Sequence, residues 1–154
     1  MDDDDETRID RAERLAKHNP QAAAEACSAI ACDVAVGDEV RLSAAELVAG
    51  LDPRSAAPAC LAIACDGAVG DEVRLSAAEL IAAVDPRSAA PACLAIACDE
   101  AVGDEVRLSA AELIAAVDPR SAAPACLAIA RDDAVGDEVR RSAAEQLAAL
   151  STRA

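Results

Sequence analysis

The stretch DPRSAAPACLAIACDEAVGDEVRLSAAEL runs from Asp85 to Leu113, and nearly the same words occur one period before it and one period after it. The string VGDEVR marks that period, because it recurs at a constant spacing of 33 residues, starting at Val36, Val69, Val102 and Val135. The units 69–101 and 102–134 differ at only two positions. Such a period is typical of a repeat protein in which each unit packs only on its neighbours.

Each unit predicts two helices. Asp85 followed by Pro86 is typical of a helix start, because aspartate caps the first amides and proline fits the first helical position. Gly103 is predicted to stop this first helix, and Asp104 to cap the second. The second helix carries an apolar stripe at Val106, Ala110, Leu113, Ile114 and Val117. A proline inside each first helix is expected to bend it, namely Pro58, Pro91 and Pro124.

The terminal copies turn polar where the inner copies are apolar. Residues 5–21 repeat 38–54 in altered form, with Arg11, Arg14 and His18 in place of Ala44, Leu47 and Leu51. In the last copy, Arg131, Arg141 and Gln146 replace Cys98, Leu108 and Leu113. A stacked solenoid needs polar end copies because no neighbour covers its outer faces. We therefore predict an all-α fold, a right-handed α-solenoid of stacked helix pairs with about nine helices.

The period also predicts domain boundaries. We expect an acidic N-terminal tail over residues 1–5, a single repeat domain over 6–150 and a short tail over 151–154. Within the domain we expect a degenerate N-terminal cap, three repeats and a C-terminal cap, over 6–35, 36–68, 69–101, 102–134 and 135–150.

Composition excludes several functional classes. Hydrophobic residues make up 54% of the chain, yet it has no aromatic residue, which suits closely packed helices and argues against a β-sandwich or a ligand pocket. No apolar run reaches the roughly 18 residues that span a membrane, and the acidic start MDDDDETR is unlike a presequence. We therefore expect a cytoplasmic protein. The net charge of −15 argues against nucleic acid and anionic membranes as partners.

A family resemblance adds to this interpretation. The stretch DEVRLSAAELIAAVDPRSAAPACLAIACDE resembles the HEAT repeat, in particular the short bacterial HEAT-like repeat of phycobiliprotein lyases. The shared features are Asp-x-Val-Arg opening the second helix, Ala-Ala-Glu in its middle, Asp-Pro at the junction and a proline inside the first helix. The resemblance covers about residues 5–150 and implies the solenoid fold, but it hardly specifies function, since HEAT-like proteins include scaffolds, lyase subunits and DNA-binding forms. The chain departs from the family pattern in lacking aromatics and in having cysteine where a large aliphatic residue is usual, at Cys60, Cys93 and Cys126.

The resemblance implies that the second helices line a concave surface that holds partners. We predict that a protein or peptide, basic or repetitive, binds a surface of alternating charge there. Its residues would be Arg41, Glu46, Arg74, Glu79, Arg107, Glu112, Arg140 and Glu145. The Asp and Arg that open each second helix are also expected to form a ladder between repeats, and for that pair a structural role is the simpler interpretation.

Seven cysteines form two rows, Cys27, Cys60, Cys93 and Cys126, then Cys32, Cys65 and Cys98. Within one helix the two thiols lie about 140° apart around the axis and about 7.5 Å apart along it, too far for a disulfide. The simplest interpretation is that cysteine is a small buried hydrophobe in a reducing compartment. A thiol-based metal or redox module built on Cys32, Cys65 and Cys98 stays open as an alternative.

Enzymatic signals are weak. The serines of the second helices have no histidine placed to activate them, and His18 is the only histidine in the chain. We therefore predict a protein without catalytic residues, cofactor or metal, which acts as a monomeric scaffold. A self-assembling repeat protein is a further alternative, although Arg11, Arg14, Arg141 and Gln146 would place charge and polarity at an end-to-end junction.

Overall fold

The computed structural model describes residues 3–153, and the side chains of residues 4–153. Nine helices make up this part of the chain, in which the prediction of an all-α fold is confirmed. They are α1 (Asp3–Ala16), α2 (Pro20–Ala31), α3 (Asp38–Leu51), α4 (Pro53–Ala64), α5 (Asp71–Val84), α6 (Pro86–Ala97), α7 (Asp104–Val117), α8 (Pro119–Arg131) and α9 (Asp137–Thr152).

The helices stack in pairs along one direction. Each helix packs against the helices one and two places away in the chain, and against none further away among residues 3–153. First helices (α2, α4, α6, α8) therefore contact first helices of the next unit, and second helices (α3, α5, α7, α9) contact second helices. This pattern is that of an α-solenoid with a repeat of one helix pair, and from here on a unit means one such pair: α2 with α3, α4 with α5, α6 with α7, or α8 with α9.

The first helices begin as the sequence predicts. The Asp85 carboxylate accepts a hydrogen bond from the Arg87 amide, and Pro86 occupies the first helical position. The Ser88 hydroxyl donates to the same carboxylate at 2.5 Å, so the serine supports the cap rather than forming it. Each internal proline lies within a single continuous helix, as Pro91 does in α6.

Two predictions at the other junction are wrong. The first helix α6 ends at Ala97, six residues before the predicted stop at Gly103. Gly103 is instead the N-cap of α7, and the Asp104 side chain makes no cap hydrogen bond in its own helix. The Asp104 carboxylate accepts a hydrogen bond from the Gly136 amide of the next unit at 2.9 Å, because that exposed amide has no helical partner. The aspartate therefore joins neighbouring units.

Small and branched aliphatic residues form the core between the two layers of helices. Its largest fully buried side chains are Ile63, Ile81, Ile96, Ile114 and Ile129, with Val48 and the four cysteines of the first row. Fully buried alanines such as Ala77 and Ala110 allow the helices to approach closely without aromatic residues. None of the helices between residues 3 and 153 is long and apolar enough to cross a bilayer.

The ends of the array are polar, as predicted. Arg11 and Arg14 are exposed on α1 and His18 in the turn after it, and Arg131 and Arg141 are exposed at the other end. The boundaries of the predicted tails are wrong. Residues 3–5 belong to α1 and residues 151 and 152 to α9, while residues 1, 2 and 154 lie outside the described part of the chain.

Candidate functional site

A buried arginine joins each pair of neighbouring units. Arg74 Nε donates a hydrogen bond at 3.0 Å to the carbonyl oxygen of Ala64, and Ala64 is the last residue of α4. Its Nη1 donates to Asp99 Oδ2 at 2.9 Å, in the turn after α6. The guanidinium thus satisfies an orphan carbonyl at a helix end and reaches a carboxylate of the following unit. We call this arrangement the arginine clasp.

The clasp is repeated along the array. Arg41 binds the Ala31 carbonyl and Asp66, and Arg107 binds the Ala97 carbonyl and Asp132. Arg41, Arg74 and Arg107 are each only 3% exposed. The prediction that these three arginines are displayed to a partner on the second-helix surface is therefore wrong. Their guanidinium groups are buried and hydrogen-bonded inside the solenoid.

The clasp is incomplete at both ends. Arg8 pairs with Asp33 at 3.0 Å, but 35% of its side chain is exposed. Arg140 is half-buried at 31% and pairs only with Asp133 and Asp137 among the described residues, both within its own unit. Arg140 therefore lies at the edge of the predicted surface rather than in its centre.

Aspartates that open the second helices form the predicted ladder between repeats. Asp38 Oδ2 accepts a hydrogen bond from the Gly70 amide at 2.8 Å, and Asp71 accepts one from Gly103 at 2.9 Å. The ladder therefore runs from carboxylate to backbone amide, and the arginines belong to the separate clasp. Both sets of contacts join neighbouring units, and in the inner repeats both use their charged groups inside the array.

The clasp lowers the pKa of its carboxylates. The hydrogen bond from Arg74 is the main cause of the lowered pKa of Asp99, with the Ala101 amide second. Asp66 and Asp132 are lowered in the same way by Arg41 and Arg107. Because the folded-state pKa lies below the unfolded value of about 4, the clasp stabilises the fold above that pH, and this contribution is lost as the pH falls through the folded-state pKa.

We therefore expect the effect of Asp99→Asn on stability to depend on pH. At neutral pH the variant leaves Arg74 buried without its counter-ion, so its free energy of unfolding falls below that of the wild type. As the pH falls below about 4 the difference shrinks, and it disappears once the pH has fallen through the lowered folded-state pKa and Asp99 is protonated in the folded chain too. Urea unfolding of both proteins across this range measures it. Acid also relieves the overall charge repulsion, but it does so equally in the wild type and in the variant. A difference in free energy of unfolding that stays constant with pH would therefore contradict the pairing of Asp99 with Arg74.

The exposed surface of the second helices is acidic, not alternating in charge. Glu46, Glu79, Glu112 and Glu145 are exposed as predicted, and each has a second exposed glutamate seven residues before it. Seven residues are about two helical turns, so the two carboxylates lie on one side of the helix. With the equivalent pair on α1, this set has ten members, which we call the glutamate face: Glu6, Glu13, Glu39, Glu46, Glu72, Glu79, Glu105, Glu112, Glu138 and Glu145.

The carboxylates of the glutamate face are unneutralised. The ion pairs found among the described side chains involve only aspartates as acids. Small exposed residues lie on the same side of the helix as the glutamates, for example Ser43 between Glu39 and Glu46, and Gly50 four residues after Glu46. A shallow groove crosses the N-terminal ends of α5, α7 and α9, where Val73, Val106 and Val139 lie beneath Glu72, Glu105 and Glu138. The face is therefore a regular acidic surface with an apolar floor along one edge.

The two cysteine rows have different environments. Cys27, Cys60, Cys93 and Cys126 are fully buried, and burial raises the pKa of Cys60 and Cys93 to about 11. They are protonated and inert at neutral pH. Cys32, Cys65 and Cys98 are exposed and form the C-caps of α2, α4 and α6. Within the described residues, no group of three or more His, Cys, Asp or Glu side chains converges to hold a metal ion.

Sequence reasoning missed two features of this surface. The first glutamate of each pair, such as Glu39 or Glu72, could have been predicted from the sequence, because it lies seven residues before Glu46 or Glu79 on the same side of the helix. The clasp was readable from an aspartate that recurs 25 residues after each arginine, as Asp99 follows Arg74. No protein-family model matches the chain, and no curated protein or solved structure matches it significantly.

Proposed function

We propose that this protein is a non-catalytic scaffold whose glutamate face binds a basic protein or peptide. The observation that carries the proposal is the repetition of two exposed, unpaired glutamates on each of five helices at the repeat period. The arginine of each inner second helix is buried, and none of the ion pairs among the described side chains involves a glutamate. A partner with lysine or arginine side chains would gain that neutralisation.

Regular spacing favours an extended or repetitive partner. A single exposed ion pair contributes at most about 0.5–1 kcal/mol, so one glutamate alone holds nothing tightly. Equivalent glutamates on consecutive helices allow a polybasic segment to make several such contacts at once, and the contacts then add through their high effective concentration. Nucleic acid and anionic lipid are polyanions, and we expect this face to repel both.

The binding of a simple basic probe tests this proposal. The probe is a peptide of alternating lysine, glycine and serine, with a counterpart in which glutamine replaces lysine. We expect the triple variant Glu46→Gln, Glu79→Gln, Glu112→Gln to bind the lysine peptide about tenfold more weakly than the wild type, measured by calorimetry at low salt. Binding should also weaken as salt is added, since the contacts are exposed.

A matched control separates this face from overall charge. Glu25, Glu100 and Asp133 are exposed carboxylates outside the glutamate face, and changing all three to their amides alters the net charge by the same amount. We expect this control to bind like the wild type. Equal weakening in both variants, or equal binding of the glutamine peptide, would count against a site on this face.

We also propose that the repeats are of the HEAT type and that the protein works in the cytoplasm as a monomer. The opening Asp-x-Val-Arg, whose aspartate and arginine both link neighbouring units, supports the first point, as does the proline inside each first helix. Three exposed free thiols support a reducing compartment, because such thiols would be oxidised in a secretory one. In HEAT solenoids the second helices line the concave side, which would place the glutamate face there.

A further inference from the structure

Helix α1 buries fewer residues than any other described helix, and α9, with Val139 and Ala143, comes next. Ala12 is the only buried residue of α1 among the described side chains, whereas α3 and α5 each bury five residues and α7 buries six. The Asp5 carboxylate lies 3.3 Å from the Gly37 amide, against 2.8–2.9 Å for the equivalent bonds in the inner repeats. Few buried contacts and partly hydrated polar contacts are the marks of a segment that opens locally.

Helix α9 presents the surface that an inner second helix uses for stacking. Ala144 is exposed, yet its equivalents one, two and three periods earlier, Ala111, Ala78 and Ala45, are fully buried by the following unit. Arg140 likewise lacks the carboxylate that the inner arginines receive from the following unit, within the described residues. The outer side of α9 is therefore an unfilled repeat-stacking surface.

The repeat period relates these two features. Residues of α1 and α9 are equivalent at a separation of 132 positions, so Asp5, Arg8 and Ala12 correspond to Asp137, Arg140 and Ala144. Ala12 thus occupies, against α2 and α3, the place that Ala144 would occupy if the array continued. Arg8 pairs with Asp33, and Asp5 accepts a hydrogen bond from the Gly37 amide. By the same correspondence, Arg140 of a preceding unit would pair with Asp33, and Asp137 would accept from the Gly37 amide.

We propose that α9 of a second copy of this chain can replace α1 on α2 and α3, so that copies stack head to tail with the repeat period continued across the junction. Helix α1 then acts as a removable cap that competes with the second copy for one surface. Because α1 is tethered, its effective concentration exceeds that of a free second copy, and the wild-type chain remains mainly monomeric. Loss of α1 from its site allows an open series of stacked copies, since the contact is heterologous.

The polar residues at the ends are compatible with this exchange. Arg11 and Arg14 lie on α1 and leave the junction when α1 is displaced, while His18 lies in the turn that tethers α1 to α2. Arg141 takes the place of Leu42 and Leu75, which are half-buried, and of Leu108, which is 9% exposed, so its stem can pack at the junction while its guanidinium extends to water. The net charge of −15 opposes association of copies, and we expect added salt to favour it by screening.

Two double variants of equal charge test this proposal. Ala12→Glu places a charge at the buried contact of α1 and releases the cap. Adding Ala144→Glu blocks the stacking surface of α9, whereas adding Ala149→Glu changes a residue on the exposed side of the same helix. Sedimentation velocity over a concentration series at raised salt measures the molar mass of each full-length chain.

We expect the Ala12→Glu, Ala149→Glu chain to associate into a series that grows beyond the dimer, and the Ala12→Glu, Ala144→Glu chain to remain monomeric. Both chains remaining monomeric would overturn the proposal, as would equal association of both or a mass that stops at the dimer. Circular dichroism shows whether Ala12→Glu lowers the helix content by more than the length of α1. If it does, Arg8→Ala replaces Ala12→Glu, because it releases the cap without burying a charge. The same pair of second changes then decides the outcome in the same way.

Discussion

Arg74→Met is expected to lower the free energy of unfolding by about 2–3 kcal/mol. Methionine keeps the apolar stem of the side chain, so the change removes the guanidinium with little loss of packing. The Ala64 carbonyl at the end of α4 then loses its donor, and Asp99 loses its counter-ion. Because 31% of the Asp99 side chain is exposed, water relieves part of that loss, which places the expected cost at the lower end for a broken buried pair.

The chain offers a matched control for this change. Arg140 holds the equivalent position in α9, the last described helix, where no carboxylate of a following unit reaches it among the described residues. Arg140→Met should therefore leave the urea unfolding midpoint unchanged within error. Equal destabilisation by Arg74→Met and Arg140→Met would show that the arginine stabilises its own helix and not the contact between units.

The helix pairs could be predicted from the sequence because their signals are local. Asp85 and Pro86 fix a helix start by hydrogen bonding and backbone geometry within one turn. The comparison of terminal with inner copies then showed which positions face a neighbour, as with Arg141 in place of Leu108. The first argument needs only neighbouring residues, and the second needs only a comparison of the chain's own repeats.

The inward arginines are not evident from residue type, because arginine side chains are usually exposed. Arg74 precedes Ala77, Ala78 and Ile81 by three, four and seven residues, and all three are fully buried. That spacing places Arg74 on the buried side of the helix, so the helical period argued for burial where residue type argued against it. The partners that make burial tolerable, a carbonyl and a carboxylate of different units, come together only when the repeats stack.

The burial of the arginines changes the character of the candidate surface. A second helix that displayed both its arginine and its glutamates would present a mixed surface that suits many partners weakly. With Arg41, Arg74 and Arg107 inside, the glutamates of the inner second helices form no ion pair among the described side chains. The same residue thus couples the repeats and leaves the outer face acidic, which ties the stability of the array to its proposed selectivity for basic partners.

Cys93→Ser is expected to lower the free energy of unfolding by about 2 kcal/mol. Cys93 is fully buried between the helix layers, and burial raises the pKa of its thiol to about 11, as expected for an apolar environment. A serine hydroxyl has nearly the same shape but loses strong hydrogen bonds to water when it is buried. A bond back to the preceding helical turn can recover only part of that loss.

Cys98→Ser, five residues further on, is the matched control. Cys98 caps the C-terminal end of α6 and is exposed, so the hydroxyl that replaces its thiol stays in water. Its unfolding midpoint in urea should match that of the wild type. If the two substitutions had equal effects, or if Cys93→Ser were neutral, the first cysteine row would not be part of the packed core. A cost confined to Cys93 would instead mean that the thiols of this row act as apolar groups of the packed core.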